Sequence, residues 1–170
     1  MTITVKNGFC EKLFVNETGK LLATLRSQKL FGPEKAVIGS DGVVKYVTDI
    51  ENLSDKTAGE NRCYTLAQNG SLVATALPEY AADADHFAMP RPPRPVGLTI
   101  QMQDDIQWRV VRSKKNAVEV QIPDGVGRLS DFFSIRPQAL EIPNESDIFL
   151  WVGVYALIGY MMHEDDTYPV

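Results

Sequence analysis

The feature that most constrains this chain of 170 residues is a segment near its C-terminal end, Ile148 to Met162, that contains no charged residue (IFLWVGVYALIGYMM). A helix that is apolar on every face must be buried, either in a protein core or in a membrane. At 1.5 Å per residue this helix would be about 22 Å long, whereas a hydrocarbon core of about 30 Å requires roughly 20 residues. The segment therefore predicts a buried core helix over residues 147–162 in preference to a membrane span.

The charges that flank the segment support this prediction. Glu145 and Asp147 precede it, the acidic run 164–166 follows it, and no Lys or Arg lies close to either end. A spanning helix normally has Lys or Arg on its cytoplasmic flank. We therefore predict that the protein is not transmembrane, and the alternative is a peripheral membrane protein tethered by this helix.

Local signals mark the start of the helix. Pro143 ends the preceding strand, and Asn144 or Ser146 can act as the N-cap. Asp147 favours the positive end of the helix dipole. These residues predict a helix that begins at or just after position 147.

Small residues recur inside the helix at three-residue spacing, at Gly153, Ala156 and Gly159. A glycine within a helix costs roughly 1 kcal/mol relative to alanine, so its presence requires a packing reason. We expect the three residues to form a narrow stripe against which a neighbouring backbone lies.

The residues before the helix have the pattern of an antiparallel β protein. Short runs of alternating or β-branched residues are separated by turn residues, which is typical of a sandwich or a barrel. The predicted strands, about twelve, are Thr2 to Val5, Lys12 to Val15, Leu21 to Ser27, Ala36 to Gly39, Val43 to Asp49, Arg62 to Leu66, Leu72 to Ala76, Leu98 to Met102, Trp108 to Arg112, Ala117 to Ile122, Phe132 to Arg136 and Leu140 to Ile142. The length of the chain suits one domain over residues 1–170.

Two predicted hairpins resemble each other. Gly19 to Thr24 and Gly70 to Thr75 share the order Gly-x-Leu-aliphatic-Ala-Thr. Either the two segments are a pseudo-repeat of one hairpin type, as a barrel would use, or any two hairpins look this similar.

A proline-rich crossing over residues 78–97 separates two halves of the chain. Prolines do not join the interior of a sheet, so we expect Pro78 to lie in the crossing. Glu79 to Met89 could form a short helix, and Arg91 to Pro95 should be extended as polyproline II. We favour a stiff connection over a docking ligand for another protein.

Composition excludes some functions and compartments. A net charge of −5 argues against nucleic-acid binding, because phosphate contacts require an excess of Lys and Arg. Residues Met1 to Asn7 lack the basic and apolar regions of a signal peptide, so we expect a cytoplasmic protein. Cys10 and Cys63 are then expected to be buried, reduced thiols, and a disulfide is the alternative.

The chain has no catalytic constellation and no cofactor motif. Asp83, Asp85 and His86 lack the second ligand cluster of a metal site, and His163 lacks a second histidine at helical spacing. Gly125 to Gly127 has neither the third glycine nor the following helix of a phosphate-binding loop. We therefore predict no catalytic residue, no metal, no cofactor and no enzymatic activity. An enzyme with carboxylates from distant strands is the alternative.

The strongest cationic cluster contains Arg109, Arg112, Lys114 and Lys115, on and just after one predicted strand. Cations at the tip of a hairpin can bind an anionic lipid headgroup, with about 1 kcal/mol from each Lys or Arg. The alternative is a solvated edge. These four residues are the ligand-binding candidates.

A series of about twelve predicted strands followed by a C-terminal apolar helix resembles the tubby C-terminal-like superfamily, which includes phospholipid scramblases and the plant LURP-one-related proteins. The resemblance rests on Asp147 to Tyr160, on the two Gly-x-Leu hairpins and on the extended run Met89 to Arg94 between the halves. It implies a mainly β fold, a closed antiparallel β-barrel of about twelve strands with a central hydrophobic C-terminal α-helix. Inward strand faces would bury such a helix on all sides.

The resemblance implies little about function. Tubby proteins bind phosphoinositides through paired basic residues, and no Lys or Arg of this chain aligns with them residue by residue. Calcium sites and cysteine-rich acylation stretches of scramblases have no counterpart. We predict a non-enzymatic binding module whose ligand the sequence does not identify, with an anionic lipid such as a phosphoinositide, or a protein, as the partner.

Overall fold

A computed structural model of the chain describes residues 1–29, 32–51, 62–82, 95–113, 117–130, 137–144 and 146–162. Within these residues, twelve antiparallel strands form a closed barrel in which each strand pairs with its two neighbours in the chain, and the first strand pairs with the last. The strands are β1 (Thr2–Asn7), β2 (Glu11–Val15), β3 (Leu21–Ser27), β4 (Lys35–Gly39), β5 (Val44–Glu51), β6 (Cys63–Gln68), β7 (Ser71–Glu79), β8 (Gly97–Met102), β9 (Gln107–Arg112), β10 (Val118–Ile122), β11 (Gly125–Leu129) and β12 (Gln138–Glu141).

One helix, α1 (Ile148–Met162), follows the last strand and fills the barrel. Every residue from Trp151 to Met162 is buried, and the helix belongs to the same core as the inward-facing strand residues. The predicted fold class, a mainly β closed antiparallel barrel with a C-terminal helix, is confirmed. The all-round burial of α1 explains why its sequence has no polar face.

Aromatic pairs fix the helix along its length. Trp151 lies against Trp108 with ring centroids 5.2 Å apart. Tyr155 meets Phe14 edge-on at 5.1 Å, and Tyr160 meets a tyrosine of β6 at 5.6 Å. Such tilted and edge-on arrangements are the favoured geometries of aromatic rings.

Two glycines allow the helix and the wall to approach closely. A Cβ atom at Gly127 would lie 2.3 Å from the Trp151 ring, and a Cβ atom at Gly153 would lie 2.6 Å from Leu66 Cδ1. Gly153 therefore faces a side chain, and the expectation of a neighbouring backbone at this position is wrong. The space is needed because Leu66 projects from the barrel wall toward the helix.

The strand predictions differ from the structure near β11. In the sequence, Gly125 to Gly127 resembles only an incomplete phosphate-binding loop, whereas in the structure these residues begin β11. Its two glycines hid the strand, because glycine has low β-propensity. The predicted strand Phe132 to Arg136 lies outside the described residues.

Pro78 lies within β7, so the crossing is shorter than predicted. Its register partner is Leu98 in β8, whereas the β6–β7 pairs end at Tyr64 and Ala76. Pro78 thus has a sheet neighbour on one side only, which is where a strand tolerates the missing N–H. Residues 83–94 of the crossing lie outside the described residues.

The N-cap of α1 is Asp147, not Asn144 or Ser146 as predicted. Its Oδ1 accepts a hydrogen bond from the backbone N–H of Phe149 at 2.9 Å, and its Oδ2 accepts one from the Tyr46 hydroxyl at 2.9 Å. Asp147 therefore joins the start of the helix to β5 as well as capping it.

The two similar hairpins share two backbone features, although the β2–β3 connection is longer than the β6–β7 turn. Gly19 and Gly70 both have positive φ, at 81° and 78°, and the following strand in each case contains a register shift, near Leu22 in the β2–β3 pair and near Val73 in the β6–β7 pair. A third hairpin repeats the combination, with Gly42 at φ 77° and a shift near Lys45. Bulges of this kind bend strands, as a closed barrel requires.

The barrel has two different ends. We call one the turn end, because the connections there are short: residues 16–20, 40–43, 69–70, 103–106 and 123–124. We call the other the loop end: its connections comprise residues 8–10, 28–34, 52–62, 80–96, 113–117 and 130–137. The helix begins at the turn end, where Asp147 meets Tyr46, and it ends at the loop end, where the Tyr160 hydroxyl donates to the Pro33 carbonyl.

Candidate anion-binding groove at the loop end

A groove opens at the loop end between the β1–β2 turn and the neighbouring ends of β3 and β4. Its volume is about 840 Å³. It is lined by Asn7, Gly8, Phe9, Cys10, Glu11, Lys12, Leu25, Arg26, Ser27, Gln28, Lys29 and Lys35. Its position beside the end of α1 makes it the mouth of the barrel interior.

Two lysines of the groove occupy inward-facing strand positions. Lys12 precedes the buried Phe14 by two residues and pairs in register with the buried Leu25. Lys35 precedes the buried Val37 by two residues. Because side chains alternate along a strand, both lysines share the face that lines the barrel.

Among the described residues, the two ammonium groups contact an amide oxygen and an aromatic ring. The Lys12 ammonium donates to the side-chain carbonyl of Asn7. The Lys35 ammonium lies over the ring of Tyr160, 4.7 Å from its centroid. A cation–π contact and an amide oxygen stabilise an ammonium group, but neither neutralises its charge.

The electrostatics of the pair are unfavourable to two positive charges. Burial lowers the pKa of Lys35, and the nearby Lys12 ammonium lowers it further. Burial also lowers the pKa of Lys12. Among the residues that the structure describes, no carboxylate raises the pKa of either lysine. An anion between them would relieve both the desolvation and the repulsion.

The outward-facing cations of the same groove contrast with this pair. Arg26 is ion-paired with Glu11, with Nη2 and Oε2 2.7 Å apart. Lys29 is paired with Glu34 at 3.0 Å, and the carboxylate raises the pKa of Lys29. The outer cations are thus neutralised within the chain.

The rim of the groove is a tight turn with an exposed aromatic tip. Phe9 is 96% exposed. The turn is fixed by a hydrogen bond of 2.9 Å from the Gly8 N–H to the Glu11 carbonyl and by Cys10, whose φ of 60° lies in the left-handed region. The backbone of the turn is therefore fixed, and Phe9 lines the same groove as the two lysines.

Both cysteines are free thiols. The prediction that both are buried is wrong for Cys10. Cys10 is exposed because it lies in the β1–β2 turn, whereas Cys63 is half-buried at the start of β6. Burial raises the pKa of the Cys63 thiol, and the carboxylate of Glu51 raises it further.

The sequence-predicted basic cluster is divided by the structure. Arg109 alternates with the buried Trp108 and Val110 and so faces outward, where its Nη2 lies 3.1 Å from an oxygen of Glu79. Arg112 has the inward parity and is already engaged in an interaction. Three-residue spacing on a strand places side chains on opposite faces. Lys114 and Lys115 lie outside the described residues.

Sequence reasoning missed Lys12 and Lys35 as site residues. A signal was present, because each lysine precedes an apolar inward-facing residue by two positions, at Phe14 and Val37. A charged residue with the parity of a core face is unusual enough to notice. A search for clusters along the chain does not find this pair, because its two lysines lie on β2 and β4, on either side of β3.

The other motifs give no site in the described part of the chain. Asp83, Asp85, His86 and His163 lie outside it, and within it no three His, Cys, Asp or Glu side chains are grouped to hold a metal ion. No helix of the described ranges is long and apolar enough to cross a membrane.

Comparisons with known proteins identify no relative of this chain. No family model, no curated protein and no solved structure matches it.

Proposed function

We propose that the protein is a non-enzymatic binding module of the tubby-like barrel type, and that it binds an anion in the groove between Lys12 and Lys35. The observation that carries the proposal is the placement of two inward-facing ammonium groups in one half-buried groove, without a carboxylate partner among the described residues. Like charges in a partly buried site favour a bound counter-ion.

The architecture supports this choice of site. Among the described residues, the groove lies at the loop end, where the β1–β2 turn and the adjoining ends of β3 and β4 line it. Binding residues commonly lie on loops that a rigid scaffold positions. A ligand bound in this groove would not disturb the packed core.

The predicted resemblance to the tubby C-terminal-like superfamily is compatible with the barrel and its central helix. The superfamily assignment stays a prediction, because the order of elements is its only support. The predicted lipid-binding role of Arg109, Arg112, Lys114 and Lys115 also stays a prediction. The tether alternative would require α1 to leave the barrel in which it is buried.

Titration calorimetry with inorganic phosphate, at low and physiological salt, tests the proposal. We expect binding that weakens as salt increases, because the attraction is electrostatic. The double variant Lys12→Gln/Lys35→Gln should bind at least tenfold more weakly. Its matched control is Lys6→Gln/Lys20→Gln, which removes the same charge from two exposed lysines and should bind as the unmodified protein does.

Flotation with neutral vesicles and with anionic, phosphoinositide-containing vesicles separates a lipid headgroup from a free anion as the source of the charge. Binding of anionic vesicles that the Lys12/Lys35 variant loses would assign a headgroup to the groove, whereas loss only in Arg109→Gln would transfer the site to the predicted basic cluster. If phosphate and vesicles both fail to bind, or if the Lys12/Lys35 variant binds unchanged, the proposal is wrong.

A further inference from the structure

We infer that the ligand of the groove is a small organic anion with an aromatic or similarly broad apolar part, and that Phe9 packs against that part while the charged group lies between Lys12 and Lys35. This inference rests on the proposed anion site and adds the chemical class of the ligand. It commits to a free molecule, not to a lipid in a membrane.

The size of the groove is the first argument. Its 840 Å³ falls within the range of about 300–1,000 Å³ typical of pockets for drug-sized ligands. An inorganic anion is only a few times larger than a water molecule, which occupies about 30 Å³ in the liquid. A phosphate or carboxylate group would therefore fill only the part of the groove next to the two lysines.

The order of chemical groups along the groove is the second argument. Lys12 and Lys35 are half-buried, and Lys35 reaches the ring of Tyr160 near the end of α1. Phe9 is almost fully exposed at the rim. A molecule that places its charge beside the lysines and extends outward would bring its other end to the Phe9 ring.

The rigidity of the rim is the third argument. Single exposed apolar residues are common and need no explanation by themselves. Phe9, however, lines the same groove as the lysine pair, and its turn is fixed by the Gly8–Glu11 hydrogen bond. Because the backbone of the turn is already fixed, a ligand that packs against Phe9 would have to restrict only the side-chain torsions of this residue.

The arrangement also explains why the outer cations are neutralised. Glu11 holds Arg26 at 2.7 Å and Glu34 holds Lys29 at 3.0 Å, so neither cation competes strongly for the anion. The charged group of a ligand is therefore directed inward to the unneutralised pair, and its apolar part remains at the rim.

The test compares methyl phosphate with 1-naphthyl phosphate, which carry the same charged group. We expect 1-naphthyl phosphate to bind at least tenfold more tightly by titration calorimetry. Phe9→Ala should remove most of that difference and leave the affinity for methyl phosphate unchanged, whereas Phe9→Trp should preserve the difference. Leu77→Ala, which shortens another exposed apolar side chain, is the control and should change neither affinity.

The outcomes separate this inference from the function on which it rests. If the two phosphates bind equally, or if Phe9→Ala binds both as the unmodified protein does, the inference is wrong and the anion site stands. If neither phosphate binds and anionic vesicles are not retained either, the anion site itself is wrong. Retention of anionic vesicles without binding of 1-naphthyl phosphate would also overturn the inference, because the ligand would then be a membrane lipid.

Discussion

The two ends of the barrel hold the same helix by different means. At the turn end, the indole of Trp151 lies on Trp108 and fills the space that Gly127 leaves open. At the loop end, Tyr160 shares a hydrogen bond of 2.8 Å with Thr48, donates to the Pro33 carbonyl and lies under the Lys35 ammonium. The Asp147 hydrogen bonds also hold the start of the helix, but a charged side chain, that of Lys35, lies against the helix at the loop end.

This difference indicates how stability and binding are divided in the molecule. Close packing without polar groups is stabilising and tolerates little change. The lysine pair at the end of the helix has no carboxylate partner among the described residues, and such a pair is unfavourable unless a ligand supplies the missing charge. Departures from favourable packing and charge are expected at functional sites, and here they gather at the loop end.

The largest effect should come from filling the space at the turn end. Gly127→Val places a Cβ atom 2.3 Å from the Trp151 ring, and we expect a loss of about 3 kcal/mol in the free energy of unfolding, or failure to fold. Gly153→Leu should cost somewhat less, because the flexible Leu66 side chain can move. Urea unfolding measures both changes.

The matched control for these variants is Gly125→Ala, whose Cβ atom would lie 3.4 Å from Pro143, at the edge of ordinary contact. It should unfold close to the unmodified protein. A Gly127→Val variant with normal stability would show that Trp151 does not occupy the place described.

Alkaline pH should act on three tyrosines that contact the helix or belong to it. Burial, with a hydrogen bond to Asp147, raises the pKa of Tyr46 to about 12, and burial also raises the pKa of Tyr155 and of Tyr160. The folded protein therefore retains protons that the unfolded chain releases near pH 10. The stabilising contribution is complete below pH 10 and declines as the pH rises toward 12 and above.

Urea unfolding at pH 8 to 12 measures this decline. Tyr160→Phe removes the tyrosine at the loop end and should make the free energy of unfolding depend less on pH. Tyr46→Phe should have the same effect by removing the tyrosine at the turn end. A free energy of unfolding that stays constant up to pH 12 would contradict the burial of these hydroxyls.

Removal of the N-cap should have a smaller effect. Asp147→Ala deletes the acceptor of the Phe149 N–H, and we expect a loss of about 1 kcal/mol in the free energy of unfolding. Ser146→Ala tests the cap suggested by the sequence and should leave stability unchanged. Equal losses in both variants would show that the cap is shared.

The smallest effect should come from the loop end, and its sign should be opposite. Lys35→Met removes a half-buried charge that Lys12 repels, so we expect the melting temperature to rise slightly or stay the same without added anions. Added phosphate should stabilise the unmodified protein more than this variant. The control Lys29→Met removes an exposed lysine paired with Glu34 and should retain the response to phosphate. A clear loss of stability in Lys35→Met without phosphate would contradict the description of this end.

Much of the fold could be predicted because its signals are local. The uncharged run Ile148 to Met162 gave the limits of α1, and turn glycines at positions 19, 42 and 70 located three hairpins. β11 was not predicted because Gly127 is a glycine for a non-local reason: a side chain there would meet the ring of Trp151, a residue distant in the chain. A local pattern does not record such a contact.

The candidate site could not be predicted for a similar reason. Arg109 and Arg112 are close in sequence but have opposite strand parity, whereas Lys12 and Lys35 are distant in sequence and share the inner face beside β3. Clustering along a strand is a poor guide to clustering in a barrel. Parity combined with strand order would have been the better guide.

The pairing of β1 with β12 has a consequence for how the chain folds in the cell. Thr2 lies opposite Glu141, so one edge of β1 stays open until β12 has been synthesised. The helix that fills the lumen follows β12, so ring closure and core formation must wait for this same part of the chain. Folding that depends on contacts so distant in sequence is slow, and we expect nascent chains of this protein to need protection from aggregation until α1 has been synthesised.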